Sequence, residues 1–463
     1  MEASPPVSLA ELKRDWIEGL PRGGFQERVR RRIDRIRGER FAAHTRGVLI
    51  AECDPVRFAA AFFAAVHLRV PVILANPRWA RAEWRELGGL VNPAVIFGKC
   101  PLDTAKRPRI PNPAPSTILI PTGGSGGGVK LAVHRWETLA AAWDGLSGFL
   151  GPGPLDSCCV LPLYHVSGLL QLVRSFLSGG RIAFPESGVL RVGRFPAFGP
   201  GRLCLSVVPT QLHRLLTQKR LARRLADARV VFMGGAPAGP ALLQEARDWR
   251  IPLVPTYGMT ETAAMVTALP PDEFLAGDAS AGRPLRHAAV EVLREDGGLC
   301  AVGEAGRIRV RGRSLFRGYH GRKQPRLDEG FLTDDEGCFD RLGRLTVLGR
   351  RDRLIITGGE KVDPHEVEQA MLETGAIKEA LVVGWPDAEW GRRLVAFYTL
   401  AGVRTAPAKW EDELRRELAA HKIPKWILEV PMLPLDARGK VDRGMMEALI
   451  ADAGFPDTGG RGS

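Results

Sequence analysis

The sequence has few cysteines and no long apolar run. Its seven cysteines are scattered and form no Cys-x-x-Cys motif. This odd, scattered set argues against a disulfide framework and a thiolate zinc site, and it favours a reducing compartment. No stretch approaches the roughly 20 apolar residues of a membrane-spanning helix, and the N-terminal segment MEASPPVSLAELKRDWIEGL lacks the apolar core of a signal peptide. We therefore expect a cytoplasmic protein that is neither exported nor inserted in a membrane.

The composition is that of a soluble globular protein. The chain has 463 residues, of which 45% are hydrophobic and 25% are charged. Domains usually contain about 100 to 200 residues, so this length predicts two or three of them. The composition excludes disordered and fibrous classes. No internal repeat is present.

Positive charge exceeds negative charge, with a net charge of +13 and an arginine-rich cluster, RVRRRIDRIRGER, at residues 28–40. One interpretation is a patch that binds nucleic acid or anionic lipid. The alternative is a solvated helix face with charge pairs between residues i and i+4. A third interpretation is that the positive potential attracts polyanionic substrates. We favour the solvated face and predict neither a nucleic-acid partner nor membrane insertion.

Short apolar runs end in glycine or proline turns and precede helical patterns, which predicts a layered α/β fold. Examples are PVILAN (71–76), CCVLPL (158–163), LCLSVVPTQLHRLL (203–216), ARVVFMGGAP (228–237) and IPLVPTYG (251–258). Ligands of such sheets bind beyond the carboxyl ends of the strands, so the turns after these runs are candidate binding loops.

The pattern changes after about residue 290 to shorter alternating strands such as GRIRVRG (306–312) and LTVLGR (345–350). Asp363, Pro364 and Glu366 then occupy the N-cap, N1 and N3 positions of a predicted helix. EALVVGWPD (379–387) predicts a strand, and WEDELRREL (410–418) predicts an amphipathic helix. We place a boundary at residues 349–352. It separates a large N-terminal α/β domain (1–349) from a small C-terminal α+β domain (350–463).

The most unusual segment is ILIPTGGSGGGVKLAVH, residues 118–134. A flexible linker is disfavoured because β-like runs flank the glycines on both sides. A nucleotide-triphosphatase P-loop requires glycine before the lysine and serine or threonine after it, whereas Val129 and Leu131 flank Lys130. Glycine-rich backbone can still present N–H groups to an anion, and lysine adds a positive charge. The segment therefore predicts a phosphate-binding loop of another kind.

This loop resembles the phosphate-binding signature of the adenylate-forming enzymes, the superfamily of acyl-CoA synthetases, luciferases and peptide-synthetase adenylation domains. The signature is [ST]-S-G-[ST]-T-G-x-P-K-G. The matching positions are Thr122, Gly124, Ser125, Gly127 and Lys130. The departures are Gly123 for serine, Gly126 for threonine, Val129 for proline and Leu131 for glycine. Two hydroxyl donors are thus missing, and the resemblance places Gly123 with the ATP-binding residues.

Four further segments resemble motifs of this superfamily in the same order and extend the resemblance over about residues 45–445. They are TYGMTET (256–262), GFLTDDEG (330–337), LGRRDRLIITGGEKVDPHEVE (348–368) and LPLDARGKVDR (433–443). The resemblance implies a large α/β domain with a mobile C-terminal lid.

The resemblance also assigns roles to individual residues of these segments. It places Tyr257 at the adenine, Gly258 with the ATP-binding residues, Thr260 at the α-phosphate and Glu261 toward Mg²⁺. It also places Asp335 and Arg350 at the ribose, Asp352 at a hinge, Gly358 and Gly359 beside the CoA channel, and Lys440 as the adenylation lysine. Each also has an ordinary alternative: Tyr257 could be a core residue, Glu261 a helix-cap partner and Asp352 part of a surface ion pair. The shared order and spacing favour the functional set.

The resemblance implies a two-step reaction with ATP, Mg²⁺ and CoA. A carboxylate attacks the α-phosphorus of ATP to give an acyl-adenylate and pyrophosphate, and a thiol then displaces AMP. Rotation of the lid about Asp352 would withdraw Lys440 and bring in Gly358 and Gly359.

The segments LPLYHVSGLLQLVRSFLSGGRI (161–182), SVVPTQLHRLL (206–216) and VFMGGAPAGPALLQEAR (231–247) most resemble the o-succinylbenzoate–CoA ligases of menaquinone and phylloquinone synthesis. The resemblance places Gly235 at the nucleotide. The second carboxylate and the aromatic ring of such a substrate require a fixed cation and flat apolar walls, and the candidate residues at the acid are His165, Arg174 and Ser206. Arg174 would bind the second carboxylate of that substrate, with an outward-facing surface arginine as the alternative. His165 would gate or line the acid site, with a core histidine as the alternative.

Three other functions remain open. One is ligation of a different aryl or acyl group to CoA. The second is loading of a carrier protein, for which we expect too little chain after Lys440. The third is non-catalytic nucleotide binding, which the presence of Lys440, Glu261, Asp335 and Arg350 disfavours. The sequence does not settle the oligomeric state, and a homodimer is compatible with it.

Overall fold

The structure is a computed structural model of the chain. It describes residues 6–39, 46–79, 81–102, 110–123, 129–185, 198–199, 201–236, 238–322, 325, 327–350, 355–357, 360–387, 391–401, 407–418, 422–435 and 441–454. The chain divides into two compact units, residues 1–333 with 337–347 and residues 334–336 with 348–463. The roles assigned above to an N-terminal domain and a C-terminal lid stay predictions, as does their boundary at residues 349–352.

The first sheet of the larger unit positions the glycine-rich segment. Its strands are β1 (Val48–Ala51), β2 (Val72–Leu74), β3 (Val95–Gly98), β4 (Thr117–Gly123) and β5 (Val129–Arg135), in the order β3-β1-β2-β4-β5. The first four strands are parallel, and β5 returns antiparallel to β4. Strands β1 and β2 are wholly apolar and buried, as expected for parallel strands covered on both faces. Strand β5 lies at the edge of the sheet.

The second sheet carries Ser206, one of the three predicted acid-binding residues, on the strand Leu203–Val207. Its strands are β6 (Asp156–Cys158), β7 (Ile182–Ala183), β8 (Leu203–Val207), β9 (Val230–Met233), β10 (Leu253–Met259), β11 (Ala264–Ala268) and β12 (Arg283–Pro284), in the order β12-β11-β10-β9-β8-β6-β7. Strands β6 to β10 are parallel, whereas β11 and β12 are antiparallel. The strand predicted at residues 158–163 is instead β6, which begins at Asp156 and ends at Cys158.

A third sheet contains β13 (Ala288–Leu293), β14 (Gly306–Gly312), β15 (Phe331–Phe339) and β16 (Leu345–Arg350), in that order. Along β14 only Ile308 and Val310 are buried, while the arginines between them are not. This alternation is that of an antiparallel strand with one covered face, as the sequence predicted.

The helices of the larger unit are α1 (Gly24–Gly38), α2 (Pro55–His67), α3 (Arg81–Leu90), α4 (Trp136–Leu150), α5 (Val166–Leu177), α6 (Pro209–Leu216), α7 (Lys219–Ala226), α8 (Pro240–Asp248) and α9 (Pro271–Leu275), with 3₁₀ turns at Glu11–Lys13 and Thr260–Thr262. Helix α2 begins with Asp54 as N-cap, whose carboxylate accepts the Arg57 N–H at 2.8 Å. Among the described residues, no helix is both long and apolar enough to cross a membrane.

The arginine-rich cluster forms α1, a surface helix. Phe25, Val29, Ile33 and Ile36 are buried along one side. The arginines lie mostly on the exposed side, where Arg31 and Glu27 form an i,i+4 ion pair at 3.1 Å. This arrangement agrees with a solvated helix face. Binding of an anionic partner stays untested.

The smaller unit has its own core. Its strands are β17 (Ile355–Thr357), β18 (Glu360–Val362), β19 (Ile377–Asp387), β20 (Gly391–Leu400) and β21 (Trp426–Glu429), and its helices are α10 (Pro364–Glu373), α11 (Pro407–Glu417) and α12 (Arg443–Asp452). Strands β19, β20 and β21 form one sheet, and β17 pairs with β18. Asp363 caps α10 and accepts the His365 N–H at 2.9 Å, whereas Glu366 pairs with Lys422. The predicted α/β class is confirmed.

Candidate active site

The stems of the glycine-rich segment form the β4–β5 hairpin. Thr122 lies opposite Lys130, and Gly123 lies opposite Val129. Residues directly opposite in an antiparallel pair project from the same face of the sheet. The hairpin therefore directs the Thr122 and Lys130 side chains to the same face of the sheet. Gly124, Ser125 and Gly127 lie outside the described residues.

Tyr319 connects the predicted phosphate lysine to the predicted magnesium ligand. The Lys130 Nζ lies 5.6 Å from the centroid of the Tyr319 ring. The Tyr319 hydroxyl donates a hydrogen bond to Glu261 Oε1 at 2.7 Å. Sequence reasoning missed this tyrosine, since only its position after FRG in a chain with four tyrosines marks it. The structure thus brings Lys130 and Glu261 together across one aromatic ring.

Glu261 lies in a tight turn between β10 and β11. Its side chain is buried in the 3₁₀ turn Thr260–Thr262. Ala263 and Ala264, which follow, have φ angles of 52° and 75°, in the left-handed region that non-glycine residues rarely adopt. Such backbone strain concentrates at functional sites. It is consistent with a turn that is held in place to present Glu261.

His134 anchors the same turn from β5. Its Nε2–H donates to the Thr260 carbonyl at 2.8 Å, and its Nδ1 lies 3.0 Å from Thr138 Oγ1. Complete burial lowers the pKa of His134 to about 4, although the bond to Thr260 acts in the opposite direction. The imidazole is therefore neutral at pH 7, and it links the strand that carries Lys130 to the turn that carries Glu261. No motif in the sequence identified this role.

Glu261 fits the role of a Mg²⁺ ligand. Mg²⁺ prefers carboxylate oxygens and is usually held by one or two carboxylates together with substrate phosphates and water. Among the described residues, the only hydrogen bond to the Glu261 carboxylate comes from Tyr319 to Oε1. Within the same residues, no group of three or more His, Cys, Asp or Glu side chains could hold a metal by itself. The donor set suits a cation that shares its coordination with a phosphate substrate.

Two glycines near the predicted nucleotide site are required by backbone geometry. A Cβ on Gly258 would lie 2.0 Å from the Ala264 carbonyl oxygen, because a bulge brings β10 and β11 close together here. Gly235 follows β9 with a φ of 84°. Tyr257, by contrast, is 8% exposed and packs with apolar residues such as Val266. Its predicted contact with adenine stays a prediction.

The predicted ribose-binding residues lie near each other. Arg350 Nε is 3.8 Å from Asp335 Oδ1, and the Arg350 guanidinium is also 3.8 Å from Asp334 Oδ2. The Asp335 side chain is 11% exposed, whereas Arg350 is 42% exposed. A carboxylate held this way can accept hydrogen bonds from sugar hydroxyls.

Arg174 is buried at the carboxyl ends of two central strands and is not an outward-facing surface arginine. One guanidinium nitrogen donates to Ser206 Oγ at 2.8 Å, and Cζ lies 5.0 Å from the Phe232 ring centroid. Only 3% of Arg174 is exposed. Burial lowers its pKa to about 10, and the thiols of Cys204 and Cys159 oppose this shift. The group nevertheless stays protonated at pH 7.

The Arg174 charge has no anionic partner among the described residues. No carboxylate of those residues lies within 4.0 Å of it, and its Nε makes no hydrogen bond. A buried, incompletely paired guanidinium is costly unless an anion completes it. The arrangement is suited to a ligand carboxylate, which binds arginine through charge-assisted hydrogen bonds.

His165 begins the helix that carries Arg174. It is the N-cap residue of α5, and its ring centroid lies 4.7 Å from that of Tyr164. The structure therefore places His165 and Arg174 on one helix after β6, with Ser206 on the neighbouring strand β8. The remaining predicted residues, Asp352, Gly358, Gly359 and Lys440, lie outside the described residues.

Comparison with known proteins connects this geometry to one family. The AMP-binding enzyme family matches residues 78–320, and the AMP-binding enzyme C-terminal domain matches residues 366–440. The 2-succinylbenzoate–CoA ligase of Enterococcus faecalis is 33% identical over 325 residues, which span 69% of this chain and 67% of that protein. Such curated relatives are matched over about two thirds of their own length.

Solved structures give the same result. The o-succinylbenzoate CoA synthetase of Bacillus subtilis in complex with its acyl-adenylate intermediate superimposes with a TM-score of 0.76 at 26% identity, covering 93% of this chain and 94% of that one. The same enzyme in complex with ATP and a magnesium ion has a TM-score of 0.76 at 24% identity, over 96% and 99% of the two chains. The predicted resemblance to adenylate-forming enzymes is confirmed, and the chain belongs to the AMP-binding enzyme family.

Proposed function

We propose that this protein is an ATP-dependent acid–CoA ligase that converts 2-succinylbenzoate to its CoA thioester and releases AMP and pyrophosphate. Family membership supports the two-step chemistry, and the names of the relatives support the acid. The observation that carries the choice of acid is the buried guanidinium of Arg174, which has a serine partner but no carboxylate among the described residues. The reaction supplies an activated acyl group for quinone synthesis.

In the first step, a carboxylate oxygen of the substrate bonds to the α-phosphorus of ATP. The bond from that phosphorus to the bridging oxygen breaks, and pyrophosphate leaves. Charge accumulates on phosphate oxygens, so catalysis is mainly electrostatic placement. Lys130 supplies a positive charge to the β- and γ-phosphates, and the Thr122 hydroxyl opposite it donates a hydrogen bond.

The turn between β10 and β11 serves the other end of the triphosphate. The Thr260 hydroxyl binds the α-phosphate, while the Thr260 carbonyl is fixed by His134. Glu261 would hold Mg²⁺, which would supply neutralisation of phosphate charge at this end of the triphosphate. Tyr319 orients the Glu261 carboxylate through its hydroxyl. Asp335 and Arg350 bind the ribose, and Gly235 and Gly258 leave space for the nucleotide.

In the second step, the thiolate sulfur of CoA bonds to the acyl carbonyl carbon, and AMP leaves with the bonding electrons. Lys440 is the predicted cation of the first step, and Asp352, Gly358 and Gly359 are predicted to serve the exchange between steps. The use of CoA, a homodimeric assembly and a cytoplasmic location also stay predictions.

The substrate has two carboxylates on an aromatic framework, and only one of them reacts. Arg174 and Ser206 bind the distal carboxylate, and His165 lines the site at the start of the same helix. The guanidinium already lies over Phe232, so it is oriented before substrate arrives. Acids that lack a second carboxylate leave this buried charge unpaired and are therefore poor substrates.

The test is acid-dependent release of pyrophosphate from ATP and Mg²⁺ by the purified protein. The acids are 2-succinylbenzoate, benzoate, acetate and a medium-chain fatty acid, and CoA is added in a second stage. We expect much faster release with 2-succinylbenzoate than with the other three acids, followed by equal amounts of AMP and the CoA thioester of 2-succinylbenzoate measured by mass spectrometry. A Lys440→Ala variant serves as the inactive comparison.

Each alternative outcome has a distinct meaning. Release with another of the acids as fast as with 2-succinylbenzoate would retain the ligase chemistry and refute the assignment of Arg174 as the residue that selects the acid. Wild-type protein that releases no pyrophosphate with any acid would refute the proposed function. A Lys440→Ala variant as fast as wild type would refute the adenylation role of that lysine.

A further inference from the structure

The valine at position 129 raises a question about the glycine-rich segment. The signature of the adenylate-forming enzymes has proline at this position, one residue before the lysine, whereas this chain has Val129 before Lys130. Proline has no backbone N–H and a fixed φ angle. Valine adds an N–H donor that needs a partner and removes the ring that restricts the backbone. Val129 is 7% exposed, so its donor is not simply left to solvent.

The outer edge of β5 is paired along part of its length by residues 317–320. The N–H of Val133 donates to the Gly318 carbonyl at 2.9 Å, and the N–H of His320 donates to the Leu131 carbonyl at 2.9 Å. In this alternation the odd-numbered residues of β5 direct their backbone groups outward. Val129 is the next outward-facing residue, but the paired segment ends in a turn after His320. The Val129 peptide groups therefore lie beyond the last rung of this ladder.

Two side chains of opposite charge bind these peptide groups. Glu86 Oε2, on α3, accepts the Val129 N–H at 2.6 Å. The guanidinium of Arg322 donates to the Val129 carbonyl at 3.4 Å. One turn further along α3, at its C-terminal residue, the Leu90 carbonyl lies 3.1 Å from His320 Nε2 of the segment that pairs with β5. The short distance and the ionised acceptor make the Glu86 bond the stronger of the two contacts to Val129.

We propose that Glu86 is a positioning residue for ATP binding, and that its bond to Val129 replaces the restriction that proline provides in the family signature. By fixing the Val129 peptide, Glu86 orients the backbone that enters Lys130. Lys130 is then held against Tyr319, from which it reaches the triphosphate. The inference rests on the proposed function, because it assigns Lys130 to the β- and γ-phosphates of ATP.

Removal of the carboxylate should weaken ATP binding selectively. A hydrogen bond to a charged group is often worth a factor of about ten or more, and solvent exposure of Glu86 reduces this. We expect Glu86→Ala to raise the KM for ATP about three- to tenfold, with less than a twofold change in the KM for the acid. Glu86→Gln retains an acceptor oxygen and should recover most of the loss. Glu83→Ala, on the same helix, is the matched control.

The decisive comparison uses proline at position 129. Val129→Pro removes the N–H that Glu86 binds, so Glu86 has nothing left to accept. In the Val129→Pro background, Glu86→Ala should therefore change the KM for ATP by less than twofold. The Kd for ATP is measured by titration calorimetry on wild type, Glu86→Ala, Val129→Pro and the double variant. This readout does not depend on turnover. Thermal unfolding of each protein identifies variants that lose ATP binding only because they fail to fold.

The outcomes distinguish this inference from the proposed function. A wild-type KM and Kd for ATP in Glu86→Ala, or an equal effect of that change with valine and with proline at position 129, would overturn the inference and leave the ligase intact. If Val129→Pro does not fold, the comparison of Glu86→Ala, Glu86→Gln and Glu83→Ala decides alone. Wild-type protein that neither releases pyrophosphate nor binds ATP would overturn both.

Discussion

Replacement of Arg174 by methionine separates substrate recognition from stability. Methionine has a similar length and no charge, so Arg174→Met removes the guanidinium with little change in packed volume. The variant loses the hydrogen bond to Ser206 and the contact with the Phe232 ring. It also removes a buried cation that has no carboxylate partner among the described residues.

Arg174→Met should lower the activity with 2-succinylbenzoate without lowering the free energy of unfolding. Loss of a charge-assisted pair with the distal carboxylate costs about 1.5–3 kcal/mol, which lowers kcat/KM for 2-succinylbenzoate about ten- to 150-fold. The pKa of Arg174 is lowered to about 10 by burial, so the folded protein holds this charge at a cost. Removing a buried charge of this kind often leaves the free energy of unfolding unchanged or raises it by about 1–3 kcal/mol.

The assay measures pyrophosphate release with 2-succinylbenzoate and with benzoate, which lacks the distal carboxylate. We expect Arg174→Met to reduce the rate with the first acid and to change the rate with the second by less than about twofold. Arg247→Met is the matched control, since Arg247 also lies over an aromatic ring, Phe274, but donates its hydrogen bonds to backbone carbonyls. Urea unfolding without substrate measures the stability of each variant.

Two results would refute this reasoning. Equal losses with 2-succinylbenzoate and benzoate would show that Arg174 does not recognise the second carboxylate. A marked fall in the free energy of unfolding, matched by a fall in both activities, would show that Arg174 is structural.

Three other predictions follow from the site. Burial lowers the pKa of both His134 and His287 from 6.5 to about 4. As the pH falls from about 6.5 to 4, the unfolded chain binds protons before the folded protein does, so the free energy of unfolding decreases. His134→Gln should reduce this pH dependence in urea unfolding, and a wild-type stability that does not change with pH would contradict the argument. Gly258→Ala places a Cβ 2.0 Å from the Ala264 oxygen and should cost about 3 kcal/mol or more in thermal unfolding; an unchanged Tm would contradict the close approach. Glu261→Gln should reduce kcat/KM about 100-fold and raise the Mg²⁺ concentration needed for pyrophosphate release with little change in Tm, whereas an unchanged Mg²⁺ titration would exclude the ligand role.

Local features of the fold were predictable from the sequence. Asp363 and Pro364 begin a helix because a capping carboxylate and a preset φ act within one turn, and the structure shows that cap. The strand in LCLSVVPTQLHRLL and the helix that follows it were also recognisable, because the spacing of the apolar residues changes at Pro209. The motif residues were identifiable because their order and spacing repeat those of a family.

The contacts that orient those residues were not predictable. Tyr319 and Glu261 are 58 residues apart, and His134 and Thr260 are 126 residues apart, so no local pattern joins them. The burial of Arg174 depends on which face of α5 meets strands β8 and β9, and helical periodicity alone leaves an arginine on a mixed face ambiguous. Distances of this kind are decided by sheet order, which local sequence patterns do not encode.

The outer edge of β5 has a consequence for synthesis of the chain. The Val129 carbonyl accepts a hydrogen bond from Arg322, which is synthesised 193 residues later. Residues 317–320, which pair with the rest of this edge, come just before that arginine. A ribosome adding about 5–20 residues per second needs about 10–40 s to supply it. During that interval a nascent chain presents an unpaired strand edge, which can pair with a neighbouring copy. Fragments that end before residue 317 should therefore aggregate more readily than the whole chain, and slower translation of the intervening residues should lower the soluble yield.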